Sequence, residues 1–307
     1  MKISLIIPCF NEQETVEKFY KSAKPVLSAL EGLDHEMIFV NDGSKDATKS
    51  ILASLAKNDD SVKVVNFSRN FGQQAAILCG FKKCTGDCAV ELDCDLQDPV
   101  EIIPEMVAKW KEGYDVVHGR RVKRKGETLF KRASAYLFYK KLAKISSVDI
   151  PRNTGDFKLL DRKVIDVIIS LPERNKYLRG LESWVGFKQT FIDYERNERV
   201  GGKGHYTVKK MARLAKAGVI ANSNYPLSFS LKLGLTLAFL SLLGFIALLV
   251  LALSNVAFDS VFWLIPTITA TGSLIILCNA ITNMYIEKIH EQTQDRPDYL
   301  IEDEINF

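Results

Sequence analysis

Two long stretches without a charged side chain constrain this chain most. They run from Leu233 to Phe258 and from Ser260 to Ile286. Each exceeds the roughly 20 residues that a helix needs to cross a bilayer. A helical hairpin buried in a soluble core is the alternative, but the rest of the 307-residue chain is too small to surround it. The sequence therefore predicts two transmembrane helices.

Basic residues lie at the outer ends of the predicted hairpin and not in the segment that connects its two spans. They are frequent just before the first span, and Lys288 and Arg296 follow the second, whereas the connecting segment 254–260 contains neither Lys nor Arg. By the positive-inside rule, both termini are expected in the cytoplasm. Met1-Lys2 leads into a brief apolar run that soon meets polar residues, unlike a signal peptide. We expect a multi-pass protein of the inner (plasma) membrane with a large cytosolic part.

Charge and cysteine content exclude some other classes. The net charge is a modest +4, and the basic residues gather beside the predicted spans, so no nucleic-acid partner is indicated. The six cysteines form no Cys-x-x-Cys pair and have no accompanying histidine spacing. In a reducing compartment such cysteines are apolar fillers more often than disulfides or zinc ligands.

The N-terminal part alternates short apolar runs with segments of helical periodicity. This alternation predicts βαβ units and an α/β, Rossmann-like, mostly parallel sheet. The predicted strands are Ile3–Ile7, Met37–Val40, Val62–Phe67, Cys88–Leu92 and Tyr114–Val117, and the predicted helices are 13–30, 46–57, 72–83 and 100–111.

Polar segments follow four of these strands: 8–12, 41–44, 68–70 and 93–95. Ligands of open α/β sheets bind at the carboxyl ends of the strands, so the four segments predict one site. The chain has neither a Gly-x-Gly-x-x-Gly motif after the first strand nor a Gly-x-x-x-x-Gly-Lys-Ser/Thr motif. It is therefore not expected to bind NAD or to form a phosphate loop.

Asp93 and Asp95 are the candidate metal ligands of this site. Two carboxylates at positions i and i+2 after a strand can bind Mg²⁺, which prefers a few carboxylates together with substrate phosphates. An isolated Asp-x-Asp triplet is more often a solvated turn, so this assignment depends on the neighbouring motifs. Glu12 and Asp42 are expected to accept hydrogen bonds from a ribose or a base, although Asp42 also fits a turn that caps the next helix.

Residues 207–221 combine a basic face with an apolar one, directly before the first predicted span. This pattern predicts an interfacial helix in the lipid headgroup region, within residues 207–227, that attracts anionic lipid. An ordinary surface helix with a solvated lysine face is the alternative.

Several ordered motifs resemble those of family 2 glycosyltransferases: Ile6–Glu12, Val40–Ser44, Glu91–Pro99 and Asn153–Phe157. More narrowly, the chain resembles polyprenyl-phosphate glycosyltransferases of the dolichol-phosphate-mannose synthase and bactoprenol glucosyltransferase type. Residues 173–180, the two spans and the tail 289–297 fit the bactoprenol branch. The chain is thereby divided into a glycosyltransferase domain (1–206), an interfacial region (207–227), two transmembrane helices (228–286) and a cytosolic tail (287–307).

The resemblance implies a GT-A fold, a nucleotide-diphospho-sugar donor and a bound Mg²⁺ or Mn²⁺. The metal would be held by Asp95, with help from Asp93 and Gln97. Asp156 matches the aspartate that usually serves as the catalytic base. The expected catalytic residues are therefore Asp93, Asp95 and Asp156. The expected contacts to the nucleotide sugar are Pro8, Phe10, Glu12, Asp42, Asp93, Gln97 and Arg120.

The segment near the membrane departs from the family pattern. Relatives often carry Gly-x-Ser-Lys-Tyr there, whereas this chain has Gly-His in place of Ser-Lys, so Lys203 or His205 must contact the acceptor phosphate instead. Guanidinium groups offer bidentate hydrogen bonds to phosphate. The candidate phosphate ligands are therefore Arg120, Arg179, Arg196 and Arg199. For each of them a surface ion pair is the alternative. Arg179 and Arg199 are the stronger candidates, because they lie in motifs that match the family.

The expected reaction is inverting transfer of one sugar from a nucleotide sugar, UDP-glucose first among the donors, to undecaprenyl phosphate, with release of UDP. A phosphate monoester with a second pKa near ~6 is already largely dianionic at pH 7. Asp156 is thus expected mainly to position groups. Mannose, N-acetylhexosamine or aminoarabinose donors are alternatives, as is a non-catalytic nucleotide-sugar-binding membrane protein; a homo-oligomer is compatible with the sequence.

Overall fold

Within the part of the chain that the structure describes, the strands form one eight-stranded sheet. The computed structural model describes residues 1–122, 154–173, 176–195 and 261–307, together with the single residues Thr236, Ile246, Val250 and Leu253. The strands lie in the order β7-β5-β6-β4-β1-β2-β3-β8. Their bounds are β1 Lys2–Cys9, β2 Asp34–Asn41, β3 Val62–Phe67, β4 Cys88–Glu91, β5 Val116–Arg121, β6 Thr154–Asp161, β7 Gln189–Tyr194 and β8 Ile301–Ile305.

Most of the sheet is parallel, as the alternating pattern predicts. β1 pairs in parallel with both β2 and β4, β2 with β3, and β5 with β7. Two strands run the other way: β6 lies antiparallel between β4 and β5, and β8 lies antiparallel to β3 at the edge. The α/β architecture with a mostly parallel sheet is therefore confirmed.

Helices cover both faces of the sheet and enclose two apolar cores. On one face, Phe19, Leu52 and Met106 pack with inward residues of the central strands, and on the other face Ile77 and Ile165 do so. The helices are α1 Val16–Ser28, α2 Thr48–Asn58, α3 Gln73–Lys83, a short 3₁₀ turn Val100–Ile102, α4 Ile103–Lys111, α5 Arg162–Ser170, α6 Leu178–Trp184 and α7 Val261–Thr293.

The five predicted strands and four predicted helices are present, with ends that differ by a few residues. Their apolar residues are buried on both faces of the sheet, which is why they read as continuous apolar runs. The strands β6, β7 and β8 were not predicted. β7 alternates buried and exposed residues at the edge, and β8 is mostly exposed, so neither has the apolar run of a central strand.

The C-terminal tail belongs to the sheet. β8 pairs with β3, the Tyr299 ring stacks on Phe67 with centroids 4.9 Å apart, and the Asn306 side chain donates to the carbonyls of Ala56 and Val62. These contacts cover an edge that would otherwise present unpaired backbone groups. The predicted domain boundary at residue 206 therefore leaves out a strand of this sheet.

α7 coincides with the second predicted span and continues into the tail. Large apolar side chains on it are exposed, including Leu264, Ile268 and Ile275. Within the described ranges, no helix qualifies as a membrane span by its length and apolar character. Most of the first predicted span and all of residues 207–227 lie outside the described residues, so the hairpin and the interfacial helix stay predictions.

Candidate active site

The antiparallel strand β6 brings Asp156 to the site. Glu91 at the end of β4 pairs with Lys158 of β6. Continued two residues along both strands, this pairing sets Asp93 opposite Asp156. The amino end of β6 thus meets the carboxyl ends of β1, β2 and β4, and the predicted catalytic carboxylates share one rim of the sheet.

A two-point ion pair holds Asp156. Arg179 of α6 donates from Nε to Oδ1 at 2.6 Å and from a terminal nitrogen to Oδ2 at 2.7 Å. Asp156 is buried, whereas 30% of the Arg179 side chain is exposed. Burial acts to raise the pKa of Asp156, but the charge of Arg179 and its hydrogen bonds outweigh this and hold that pKa below its usual value. Asp156 is therefore a weak base that orients a guanidinium.

Asp93 lies within a concentration of negative charge. Burial, and then the charges of Asp156, Asp95 and Asp98, raise the pKa of Asp93 to about 7. Gln73, the first residue of α3, donates to Asp93 Oδ1 at 2.8 Å and lies 3.5 Å from Asp156 Oδ2. The rim carries more carboxylate charge than its cations balance, which is the condition under which a bound cation is favourable.

Asp95 is held in a tight turn after β4. Its Oδ1 accepts the backbone N–H of Gln97 at 3.1 Å, and the intervening Leu96 has φ +60°, a left-handed conformation that non-glycine residues seldom adopt. Such backbone strain is concentrated at functional sites. Cys94 between them belongs to the apolar core, whereas Asp93 contacts Gln73 at the rim.

The donor set fits a magnesium-type ion. Among the described residues, no group of three His, Cys, Asp or Glu side chains is arranged to hold a metal. Two carboxylates beside a substrate diphosphate and water are the usual surroundings of Mg²⁺, which is seldom enclosed by protein ligands alone. Asp93 and Asp95, with Gln97 at the same turn, therefore fit an ion whose remaining ligands are substrate phosphate and water.

Arg121, not Arg120, faces the site. β5 pairs with β7 without interruption, so the ordinary alternation of a strand puts Arg120 and Arg121 on opposite faces of the sheet. Arg120 then points outward, where it pairs with the exposed Asp193 at 2.5 Å. The sequence prediction that Arg120 contacts the nucleotide sugar is not supported by this placement, because the pair lies on the exposed edge of the sheet.

Arg121 forms a buried cluster with Asp98 and Tyr194. Its guanidinium contacts Asp98 Oδ2 at 3.1 Å and the Tyr194 hydroxyl at 2.9 Å, and that hydroxyl donates to Asp98 Oδ1 at 2.5 Å. A Cβ at Gly155 would lie 2.5 Å from an Arg121 nitrogen, so glycine is needed beside Asp156 for the guanidinium to pass. The Arg121 charge lowers the pKa of both Asp93 and Asp156, although other effects outweigh it at Asp93.

The ends of β1 and β2 carry the predicted nucleotide contacts. Pro8 is buried in β1, and Phe10 and Glu12 follow it half-buried. Glu12 accepts a hydrogen bond from Thr15 Oγ1 at 2.7 Å at the start of α1. These side chains lie at the rim as predicted, and their contact with a nucleotide stays a prediction.

Asp42 anchors the loop that leads into α3. Its carboxylate accepts the backbone N–H groups of Phe71 at 2.7 Å and Gly72 at 2.9 Å and the side-chain amide of Asn70 at 2.8 Å. A Cβ at Gly43, which has φ +65°, would lie 2.6 Å from the Asn70 nitrogen, so the two loops touch. Burial outweighs these hydrogen bonds and raises the pKa of Asp42. Asp42 thus has a structural role besides the predicted nucleotide contact.

Three predicted lipid-phosphate ligands, Arg199, Lys203 and His205, lie outside the described residues, as does Arg196. Sequence reasoning missed Arg121, Gln73 and Gln74. The Gln74 side chain accepts the backbone N–H of Leu178, at the start of α6, at 3.2 Å. A pair of glutamines opening a helix carries no signal by itself, because glutamine is an ordinary helix residue.

Known proteins match the chain along nearly its whole length. Residues 4–169 match the model of glycosyl transferase family 2. The chain is 40% identical, over 98% of its length and 94% of the relative's, to the uncharacterized glycosyltransferase YkcC of Bacillus subtilis (strain 168). It is 38% identical to the bactoprenol glucosyl transferase of Shigella phage SfX, over 98% and 99% of the two chains.

Among solved structures, the chain is similar to glucosyl-3-phosphoglycerate synthase from Mycobacterium tuberculosis, in a complex with Mn²⁺, UDP-glucose and phosphoglyceric acid. The TM-score is 0.48 at 20% identity, over 71% of this chain and 77% of that one. The sheet and the family match agree with the predicted GT-A-like α/β domain. The chain therefore belongs to glycosyl transferase family 2, with bactoprenol glucosyl transferases among its relatives, and is a glycosyltransferase.

Proposed function

We propose that this protein transfers one glucose from UDP-glucose to undecaprenyl phosphate, with inversion at the anomeric carbon and release of UDP. The observation that carries the proposal is the meeting of Asp93 and Asp95 with the Asp156–Arg179 pair at one rim of the sheet. Carboxylates suited to a cation beside a diphosphate thus adjoin a guanidinium suited to a second phosphate. The bactoprenol glucosyl transferases among the relatives support the acceptor class and the sugar.

Arg179 is the group best placed for the acceptor phosphate. Asp156 engages Nε and one terminal nitrogen, and a guanidinium has five N–H donors, so three donors remain for a ligand. The partial exposure of Arg179 leaves it accessible. A guanidinium held flat by a carboxylate loses little entropy when it binds phosphate. Arg179 would bind and orient the phosphate oxygen that attacks the sugar.

Asp156 acts through Arg179 rather than mainly as a base. An acceptor phosphate that is already largely dianionic needs little deprotonation. The lowered pKa of Asp156 makes it a poor proton acceptor, and its oxygens already receive two hydrogen bonds. Its proposed tasks are to hold Arg179 in the attack geometry and to balance its charge.

Asp93 and Asp95 would hold Mg²⁺ or Mn²⁺, with help from Gln97, and the bound ion would neutralise the diphosphate of the departing UDP. The residues themselves prepare this site before any ligand binds. Gln73 fixes one oxygen of Asp93, and the turn at Leu96 fixes Asp95. Preorganised carboxylates lose less entropy on binding the ion than mobile ones do.

We further propose that α7 and the preceding uncharged stretch anchor the enzyme in the inner membrane, with the sheet and both termini in the cytoplasm. The exposed Leu264, Ile268 and Ile275 of α7 support this, because contiguous apolar surface in water is unfavourable. Gln292 in the last turn of α7 donates to the carbonyl of Pro172 at 3.1 Å. The helix thus ends beside the segment that leads into α6 and Arg179.

The test is transfer by the purified full-length protein in membranes that contain undecaprenyl phosphate. The donor panel comprises UDP-glucose, UDP-N-acetylglucosamine, GDP-mannose and UDP-aminoarabinose. We expect UDP release and a glucosyl lipid with UDP-glucose, abolition by EDTA with restoration by Mg²⁺ or Mn²⁺, and loss of activity in Asp95→Ala. Full activity of Asp95→Ala with saturating EDTA would refute the metal site.

The panel also separates the alternatives. A glycosyl lipid formed only with another donor would refute the assignment of glucose and keep the reaction class. Tight UDP binding without release of UDP in the presence of lipid phosphate would refute the catalytic proposal in favour of a nucleotide-sugar-binding protein.

A further inference from the structure

A buried ion pair lies directly beneath the site, and neither of its members has a part in the reaction proposed above. Lys158 Nζ of β6 lies 2.6 Å from Glu182 Oε2 of α6, and the two side chains are only 1% and 2% exposed. Glu91 of β4 lies 3.8 Å from the same ammonium, and neither of its oxygens has a hydrogen-bond partner among the described residues. Burying these charges is costly, and well-packed apolar side chains often stabilise such a position equally well. Stability alone therefore does not account for the pair.

The spacing of the pair repeats that of the site. Lys158 follows Asp156 by two residues on β6, so both project from the same face of the strand. Glu182 follows Arg179 by three residues on α6, so both lie on the same face of the helix. The Asp156–Arg179 pair and the Lys158–Glu182 pair thus join the same two elements side by side.

The two pairs have opposite polarity. Along β6 the charges read negative and then positive, and along α6 they read positive and then negative. A slip of α6 by one turn would set Glu182 against Asp156, or Arg179 against Lys158, and like charges repel strongly where water is excluded. One register alone satisfies both pairs, and in that register Arg179 meets Asp156. A single buried polar group is known to fix register in coiled coils by the same logic.

Neighbouring contacts hold Glu182 from the other side. Gln189 of β7 donates to the Glu182 backbone carbonyl at 3.1 Å, and its side-chain oxygen lies 3.0 Å from His118 Nε2. The middle of α6 is thus fixed by its backbone as well as by its charge.

We propose that Lys158 and Glu182 are positioning residues for glycosyl transfer. They fix α6 in the register that presents Arg179, oriented by Asp156, to the acceptor phosphate. This inference rests on the proposed function, because it gives the two residues a task in acceptor binding.

The test replaces the buried charges as a set. Lys158→Met alone would leave two buried carboxylates without a cation and would destabilise the fold for a trivial reason. The combined variant Glu91→Gln, Lys158→Met, Glu182→Met leaves no buried charge there and keeps similar side-chain volumes. The matched control is Lys24→Met with Asp59→Asn, which removes a 2.7 Å ion pair at the opposite end of the sheet.

We expect the combined variant to melt within a few degrees of the wild type and to keep its KM for the nucleotide sugar. Its kcat with undecaprenyl phosphate should fall at least about tenfold, the equivalent of 1.36 kcal/mol in the barrier. When the same three substitutions are added to Arg179→Ala, kcat should fall less than twofold below that of Arg179→Ala alone, because the substitutions act through Arg179. The control pair should leave kcat unchanged. A kcat equal to the wild type, or an equal loss in both backgrounds, would overturn the inference.

Hydrogen exchange gives a readout that does not need activity. In the combined variant the amides of residues 178–184 should exchange faster than in the wild type at equal melting temperature, while those of α3 are unchanged. Unchanged exchange in α6 would refute the positioning role even if the wild type proved to transfer no sugar. Absence of lipid product with the wild type would instead refute the proposed function, so the two failures are distinguishable.

Discussion

His118 of β5 is buried beside Lys158, and its titration should remove one contribution to the stability of the domain at acid pH. Its ring stacks against Phe191 with centroids 5.4 Å apart, and its Nε2 lies 3.0 Å from the side-chain oxygen of Gln189. Burial, and then the charge of Lys158, lower the pKa of His118 to about 4, and the hydrogen bond with Gln189 offsets this only in part. The folded chain therefore keeps His118 neutral at a pH where an unfolded chain would protonate it.

The sign and size of the effect follow from this shift. Between pH 6.5 and pH 4 the unfolded state binds a proton at this position and the folded state does not, so the contribution of His118 to stability falls as the pH falls. The stabilisation is fully present above pH 6.5 and is lost toward pH 4. The shift from 6.5 to about 4 corresponds to about 3 kcal/mol at 1.36 kcal/mol for each pKa unit. For a chain of this size, that is roughly 6 °C in melting temperature.

The assay compares the melting temperatures of the wild type and His118→Gln at several pH values between 4 and 7. Glutamine does not titrate, and its amide can still donate to Gln189. We expect the wild type to lose about 6 °C relative to the variant over this range. A difference between wild type and His118→Gln that does not change with pH would refute the reasoning.

Three further predictions concern the rim. Arg120→Ala should change kcat less than about twofold, because its ion pair is exposed. Arg121→Ala should destabilise the fold by about 3–5 kcal/mol, because Asp98 would stay buried without its cation. Initial rates and thermal unfolding of both variants check this, and equal effects of the two substitutions would contradict the assignment. Gln73→Leu should lower kcat by about tenfold at unchanged melting temperature, since one hydrogen bond to a site carboxylate is lost; an unchanged kcat would show that this bond is dispensable. Asp42→Ala should lower stability by about 2–6 kcal/mol in denaturant unfolding, because two backbone N–H groups lose their acceptor; Asp42→Asn should lose less, and equal losses would refute this account.

The parallel core could be predicted from the sequence because its signals are local. The apolar runs of β1 to β4 and the helical periods between them each lie within one short window. The carboxyl-end rule then placed Asp93, Asp95 and Asp42 at one rim. That rule does not reach Asp156, which lies near the start of an antiparallel strand, and only the family resemblance identified it.

The remaining features depend on relations that a single sequence does not display. Arg120 and Arg121 lie on opposite faces of β5, and no local pattern marks which of the two meets Asp98. β8 pairs with β3 across more than half of the chain, and its charged residues resemble any solvated tail. Lys158 and Glu182 are charged residues whose complete burial contradicts the usual expectation for their types.

The C-terminal segment contacts the domain at two separate places, and these contacts bear on the direction from which the acceptor reaches the site. Gln292 contacts Pro172, close to the start of α6, and farther along the tail Leu300 accepts the backbone N–H of Ser68 before β8 begins. Ser68 opens the loop whose later residues bind Asp42. If α7 lies in the membrane as proposed, two contacts restrain the domain against rotation more firmly than one flexible linker would. The rim that carries Arg179 would then face the bilayer at a constant angle, so that a lipid phosphate arrives beside α6 while the nucleotide sugar enters from the water.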